Sequence, residues 1–285
     1  MPELFRPSNH DVPQLKELYL SCFNESEDAA EYMFENMLTA NNAYAVKVEQ
    51  EIAAALYLLP CGVFCGSRTA KASYLMGAGT KFKYRNKGIM SRLIKYALDC
   101  ASKNGDEFSV LEPAGESLYS YYTRFGYKKA YTSSVFDYSL SEKDKKAYDS
   151  IHLTKSSFDI WSHLRFNICK SIRGSVHWPD AHLIYCSEIN KIYGGGILGF
   201  DYGYALYTRD GNGFFVDELM CLPEYLNAFL RTLAISLGTE RLTVRCPVGL
   251  NKNAGRISMG MLLPLKNSSA EPVLNENSYL GLSLD

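Results

Sequence analysis

At 285 residues, with 47% hydrophobic and 21% charged side chains, the chain has the length of about two domains and the composition of a globular protein with a full core. A formal net charge of -1 gives no basic footprint, so no nucleic-acid partner is expected. No apolar run approaches the roughly 20 residues that cross a bilayer. No signal-peptide layout opens the sequence either, so a cytoplasmic protein without a membrane partner is expected.

The eight cysteines suit that reducing setting. Cys61 and Cys65 form the one close pair, and no histidine or second cysteine pair lies near them in sequence, so core thiols rather than a metal site are expected. The 21 tyrosines suit sheet packing, with pocket lining as a second use.

Leu4-Phe5-Arg6-Pro7 reads as a short strand, and Ser8-Asn9-His10-Asp11 offers side-chain oxygens to the free amides of a helix start. Leu15, Leu18, Tyr19 and Cys22 or Phe23 then recur at helical spacing. The acidic stretch Glu25 to Glu31 leads into a second helical pattern through Tyr32, Met33, Phe34 and Met37. Its carboxylates compensate a helix dipole. In a functional reading, Glu25, Asp28 and Glu31 form a wall that attracts a cationic amine. Ala43 to Val48 and Ile52 to Leu59 predict a hairpin around Glu49-Gln50-Glu51, ended by Pro60. Gly66-Ser67-Arg68 predicts a further turn before the run from Thr69 into the apolar strand Tyr74 to Thr80.

After Gly88, the residues Met90, Leu93, Ile94, Ala97, Leu98 and Ala101 fall on one helix face, closed by Asn104-Gly105. Phe108 to Leu111 is a buried strand broken by Pro113. A short helix from about Glu116 ends at Gly126, and Tyr127 begins another strand. Strands alternating with helices predict a mixed α/β domain built on a mixed sheet.

Polar residues from Ser139 to Tyr148 mark a boundary, giving a first domain over 1–138, a linker over 139–150 and a second domain over 151–285. Ile160, Trp161, Leu164 and Ile168 predict a helix, followed by strand-like runs at His182–Cys186, Gly196–Phe200 and Tyr204–Tyr207. The segment from Phe214 to Pro247 repeats the order of Tyr74 to Pro113: strand, loop, helix, strand, proline. Leu226-Asn227-Ala228-Phe229 is read as the counterpart of Arg85-Asn86-Lys87-Gly88, with the glycine and the basic residues lost. Tyr279 to Asp285 alternates like a closing strand.

The Arg85 to Met90 stretch lies where a strand ends and a helix begins, and the first amides of a helix form a natural anion site. Gly88 has no Cβ to keep a phosphate away. Arg85 and Lys87 put positive charge where an isolated helix disfavours it, a conflict that a bound polyanion removes. A surface loop with incidental basic residues is the alternative. A dinucleotide fingerprint is excluded, because Gly77-Ala78-Gly79 precedes the loop and lacks the third glycine at the required spacing.

Arg85-Asn86-Lys87-Gly88-Ile89-Met90 resembles the Arg/Gln-x-x-Gly-x-Gly/Ala loop of the GCN5-related N-acetyltransferases (GNAT), and Tyr122-Thr123-Arg124-Phe125-Gly126-Tyr127 resembles their Tyr-x-x-x-Gly-Phe/Tyr ending. The opening Phe5-Arg6-Pro7, Asp11 and Leu18-Tyr19 is similar as well. Met90 replaces the final small residue, and with the repeated second half it resembles the enhanced-intracellular-survival (Eis) branch. That branch joins two GNAT-like domains and usually adds a sterol-carrier-like domain, which is not expected here. The resemblance implies two tandem domains, the second degenerate, and an acetyl-CoA-dependent N-acetyltransferase acting on a small-molecule or peptide amine. It implies that the amides of Asn86, Lys87, Gly88, Ile89, Met90 and Ser91 hold the pyrophosphate. Ala78, Gly79 and Thr80 would hold the pantetheine and polarise the thioester, and Ser117 would lie near the thiol. Tyr122 would be the general acid, with Tyr119 and Tyr121 as its competitors, and the Asp285 carboxylate the base. A non-catalytic acyl-CoA-binding or sensing protein is the alternative reading, and homo-oligomerisation is left open.

Overall fold

The computed structural model describes residues 2–145, 151–265 and 275–283. Its framework is a 12-stranded mixed sheet that runs through both halves of the chain. The first half supplies β1 (Glu3–Phe5), α1 (Val12–Cys22), α2 (Glu27–Asn36), β2 (Ala43–Val48), β3 (Glu51–Cys65), β4 (Arg68–Thr80), α3 (Ile89–Lys103), β5 (Phe108–Leu111), α4 (Glu116–Thr123) and β6 (Lys128–Ser139). The second half adds α5 (Glu142–Lys145), α6 (Phe158–Ser171), β7 (Val176–His177), α7 (Asp180–Ile192), β8 (Gly196–Phe200), β9 (Gly203–Asp210), β10 (Gly213–Cys221), α8 (Leu226–Leu237), β11 (Arg241–Cys246) and β12 (Gly255–Pro264). The strand order is β1-β2-β3-β4-β5-β12-β6-β11-β10-β9-β8, with β7 pairing β3 off this path. β12, from near the end of the chain, is inserted between β5 and β6 and pairs with both in antiparallel register.

Successive side chains of a strand point to opposite faces, and the core divides accordingly. Tyr57 and Tyr74 join the cluster under α1, α2, α6 and α7, whereas their neighbours Leu56 and Leu75 join the cluster under α3 and α4. The second half repeats the division, with Tyr204 and Leu206 on the α6–α7 side and Ala205 and Tyr207 under α8. The α1–α2–α6–α7 layer thus encloses one apolar core common to both halves.

The repeat is visible in the pairing. β3 and β4 are antiparallel, β4 and β5 parallel, and α3 connects the latter two; β9, β10, α8 and β11 reproduce this arrangement. Each middle strand carries a register shift, between the Ala55 and Tyr57 pairings in one copy and at Asp217 in the other. The loop correspondence expected from sequence is corrected. A 3-10 turn follows each middle strand, at Phe82–Tyr84 and Pro223–Tyr225, but α8 then starts at once. Leu226 and Phe229 are buried core residues of α8, so the second copy lacks the Arg85–Gly88 loop altogether.

Three other expectations are corrected. β3 runs through Pro60 to Cys65. The Leu58 amide bonds to Asn42 O and the Phe64 amide to Ser175 O, so the alternate position at Pro60 faces the gap between β2 and β7, where no donor is required. His182–Cys186 lies within α7, whose buried His182, Leu183, Cys186, Ile189 and Asn190 follow helical spacing. Residues 279–283 form no strand, because Gly281 (φ 53°) and Leu282 (φ 49°) are both left-handed and turn the chain out of extended geometry. This segment instead threads the interior, with Tyr279, Leu280 and Leu282 buried and Gly281 O accepting from Trp178 Nε1 at 2.7 Å. Among the described residues, no helix is long and apolar enough to cross a membrane.

Candidate active site

At the start of α3, Asn86 (φ 60°) and Gly88 (φ 70°) are left-handed, and Ile89 begins the helix. The Arg92 amide bonds to Gly88 O, so the amides of Gly88 through Ser91 precede the first intrahelical bond. A Cβ added at Gly88 would meet nothing within 4 Å, so glycine is required there by its backbone angle, and the loop opens outward. Consecutive amides alternating with left-handed residues make an anion-binding concavity. Arg85 and Lys87 are folded back on the turn, with Arg85 Nε on Thr80 O at 2.9 Å and Lys87 Nζ on Lys83 O at 2.9 Å. Lys81 and Lys83 both pair with Glu51, fixing the turn to the start of β3. These lysines hold the Glu51 carboxyl down to about 2. Ile89 is buried, and Met90 packs against the core beneath α3.

β4 and β5 pair only from Ala72–Tyr74 to Phe108–Val110. Beyond that, β4 continues to Thr80, while β5 ends at Leu111, its other edge paired with β12 along its whole length. The result is a slot between the ends of β4 and β5. On its β4 side, Gly77 and Ala78 together oppose Leu56, a bulge that removes backbone groups from the ladder. Gly77 is left-handed at φ 59°, and a Cβ there would lie 2.9 Å from the Tyr57 ring. Gly79 and Thr80 return to pairing with Ala55 and Ala54. Sequence reasoning marked Ala78, Gly79 and Thr80 but not Gly77; the glycine inside an apolar strand was the available signal.

The second copy has the same splay, because β10 and β11 pair only from Phe214–Leu242 to Val216–Val244. There Arg245 Nε donates to Asp217 O at 2.7 Å, across the gap just beyond the last pair. An open slot in the first copy corresponds to a side-chain-plugged one in the second.

α4 separates the three tyrosines. Tyr119 donates to Ser258 O of β12 at 3.2 Å, and Tyr121 Oη lies 3.3 Å from Ser91 Oγ at the start of α3. Tyr122 is buried, with ring centroids 5.3 Å from Tyr121 and 5.9 Å from Tyr127. Tyr127 in turn shares a 2.7 Å hydrogen bond with Ser109 of β5, so Tyr122 lies on the β5 side of α4. Ser117 is exposed in the first turn of α4.

On the other face of the sheet, residues of both halves line a half-open cavity of about 530 Å³. Tyr19, Glu25, Glu112, Asn190, Tyr193 and Asp217 contribute to it, as do Arg245 and Ser283. Tyr19 also reaches the bulge, since its ring is 3.5 Å from where a Gly77 Cβ would stand, and Glu112 directly follows β5. The cavity therefore adjoins the inner end of the slot. Of the expected acidic wall, Glu25 lines it and accepts from Tyr193 Oη at 2.6 Å. Asp28 is exposed in the first turn of α2, and Glu31 pairs with Lys16 of α1; neither lines the cavity. Burial pushes the Asp217 carboxyl up to about 6, while Arg245 and the Asn190 hydrogen bond (2.9 Å) act against that rise. Asp217 and Arg245 went unmarked in the sequence; the signal was Asp217-Glu218 set inside an otherwise apolar strand. Asp285 lies outside the described residues, of which Ser283 is the last. Among the described residues, no His/Cys/Asp/Glu group is arranged to hold a metal ion.

Residues 5–130 match the family model of an acetyltransferase (GNAT) domain. None of the curated proteins compared with the chain matches it. Among solved structures, a GCN5-related N-acetyltransferase from Anabaena variabilis is 20% identical with a TM-score of 0.72, covering 92% of this chain and 72% of that one. One from Kribbella flavida is 16% identical with a TM-score of 0.70 over 94% of this chain and 72% of that one. Eis1 from Mycobacterium abscessus is 14% identical with a TM-score of 0.67 over 93% and 74%. At these identities the structures testify to fold, and they do so for both halves. The family model, the amide-rich start of α3 and the open slot point the same way: residues 5–130 are a GNAT acetyltransferase domain, and the fold of the whole chain is similar to that of Eis1.

Proposed function

We propose that the protein is an acetyl-CoA-dependent N-acetyltransferase whose acceptor is the primary amine of a small molecule or peptide. The observation that carries this reading is the asymmetry of the two copies. The first has an open slot with an amide-lined concavity on one face and a half-open cavity on the other. The second has the same slot filled by Arg245 and no loop.

In this reading, the amides of Asn86 through Ser91 grip the pyrophosphate, and the unpaired edge of β4 from Ala78 to Thr80 takes the pantetheine as an added strand. Backbone groups at the Gly77–Ala78 bulge stabilise the oxyanion formed when a neutral amine attacks the thioester. Tyr122 protonates the departing thiolate. The Asp285 carboxylate takes the amine's proton, a role that rests on the resemblance alone. Ser117 and Arg85 flank the cofactor path.

Calorimetry with acetyl-CoA tests the binding half, and thiol release with an amine panel tests the transfer half. Tyr122→Phe is expected to lower kcat by roughly 10²-fold with acetyl-CoA affinity kept, the scale of a lost general acid. Deleting Asp285 is expected to lower turnover with little change in acetyl-CoA affinity. Unchanged turnover in either variant removes that residue's role. Tight acetyl-CoA binding with no acceptor turned over would instead favour a binding or sensing protein.

A further inference from the structure

Resting on the transferase reading, the structure assigns an acceptor class: a primary amine that also carries a carboxylate at its far end, seated in the cavity between the halves with its anionic end on Arg245. The volume, about 530 Å³, is that of a small-molecule pocket. The slot end of the cavity carries Glu112, just past β5, and Glu25, held by Tyr193. Carboxylates there suit the end of the acceptor that arrives as an ammonium.

The far end carries the cation Arg245 beside Asp217. Arg245 lies on β11, separated from β5 by β12 and β6, which at the usual strand spacing is roughly 14 Å between strand axes before side-chain reach is subtracted. Its guanidinium is half-buried and fixed by Nε on Asp217 O, by the Phe215 ring 5.5 Å away and by Nη1 at 3.9 Å from Met259 Sδ. Among the described residues no carboxylate hydrogen-bonds to its guanidinium: the Asp217 carboxyl is near enough to feel its charge but is bonded by Asn190. The planar fork of a half-buried guanidinium suits a carboxylate, and its two terminal nitrogens have Met259 Sδ as their one hydrogen-bonding contact among the described residues. Arg209 adds positive charge at the exposed rim. A polyamine or other polycation would bring a second ammonium against Arg245, so the cavity discriminates against the very class that an acidic wall would have favoured.

The test uses acceptor pairs that differ only by the carboxylate: L-lysine against cadaverine and L-ornithine against putrescine. Binding to the full chain is read by calorimetry, and acetyl transfer by thiol release. The carboxylate-bearing member is expected to bind at least about tenfold more tightly, the scale of a charge-assisted carboxylate contact, and to show the higher kcat/KM. Arg245→Gln is expected to bring the ratio within each pair close to one, while Arg245→Lys retains part of the preference. The wild-type comparison alone decides the matter if a variant fails to fold. Equal or tighter binding of the decarboxylated members, or no binding of either, overturns the assignment. Carboxylate-selective binding without any thiol release would uphold it and sink the transferase reading instead.

Discussion

The interior segment ending at Ser283 is held by a buried ion pair, and removing one partner gives the sharpest test of how the second half shapes the site. Arg165 of α6 and Glu218 of β10 are 4% and 0% exposed. Arg165 Nε lies 3.1 Å from Glu218 Oε2 and Nη2 3.3 Å from Oε1, and Nη2 also donates to Leu280 O at 3.3 Å. Tyr204 donates its hydroxyl to the same carboxylate. Arg165→Met leaves a buried carboxylate with the Tyr204 hydroxyl as its remaining partner, which costs about 3–5 kcal/mol. In a chain of this length that lowers the Tm by roughly 10 °C. Adding Glu218→Gln removes the stranded charge and retains an acceptor for Tyr204, while Leu280 O keeps Trp178 Nε1 as a donor at 3.2 Å, so the remaining cost is that of lost hydrogen bonds, about 1–3 kcal/mol. The double variant is therefore expected to be more stable than the single one. Urea titrations with unchanged m-values would measure both. Because Leu280 leads to Ser283 at the cavity wall, Arg165→Met should also raise the acceptor KM more than it weakens acetyl-CoA binding. A single-variant cost below about 1 kcal/mol, or a double variant less stable than the single, would refute the claim that charge burial locks this segment.

Gly88→Ala is expected to cost about 1–2 kcal/mol from backbone strain alone, since its Cβ would meet no neighbour. It should also weaken acetyl-CoA binding in calorimetry, because relaxing that strain closes the amide concavity. His182 is stacked on Trp178 at 4.1 Å and donates from Nε2 to Leu282 O at 2.9 Å, and burial holds its pKa down to about 4. Its contribution is present above about pH 6.5 and lost as pH falls through about 4, on the order of 3 kcal/mol in all. Asp217, raised to about 6, acts in the opposite sense, contributing stability at low pH that is lost as pH rises through 6. His182→Gln should therefore reduce the loss of urea midpoint between pH 6.5 and 4; an unchanged slope would refute its buried neutral state.

What could be read from the sequence was whatever local physics determines. The α3 stripe, the Gly88 cap and the buried β5 run are encoded within a few residues of one another, and they appear where spacing placed them. The repeat was legible for the same reason, as two strand–helix–strand units. Three features were not local. β12 enters the first half's sheet beside β5, a pairing across more than half the chain that no pattern near Gly255 specifies. His182–Cys186 is apolar enough for a strand, and only the core common to α7 and α2 decides that it is helical. The cavity gathers Glu25, Glu112, Asp217 and Arg245 from four distant segments. Their roles depend on which carboxylate faces which cation, something composition cannot convey. The acidic run at Glu25 to Glu31 illustrates the limit. Asp28 and Glu31, three apart, share a helix face, but which way that face points is set by packing and not by the run of charges. Here the turn of α2 leaves Asp28 exposed and takes Glu31 to Lys16, while Glu25, before the helix begins, goes to the cavity. The cavity's three carboxylates outnumber its two guanidinium groups, so it is the placement of Arg245 away from Glu112, and not the net charge, on which the proposed preference for an amine that brings its own anion rests.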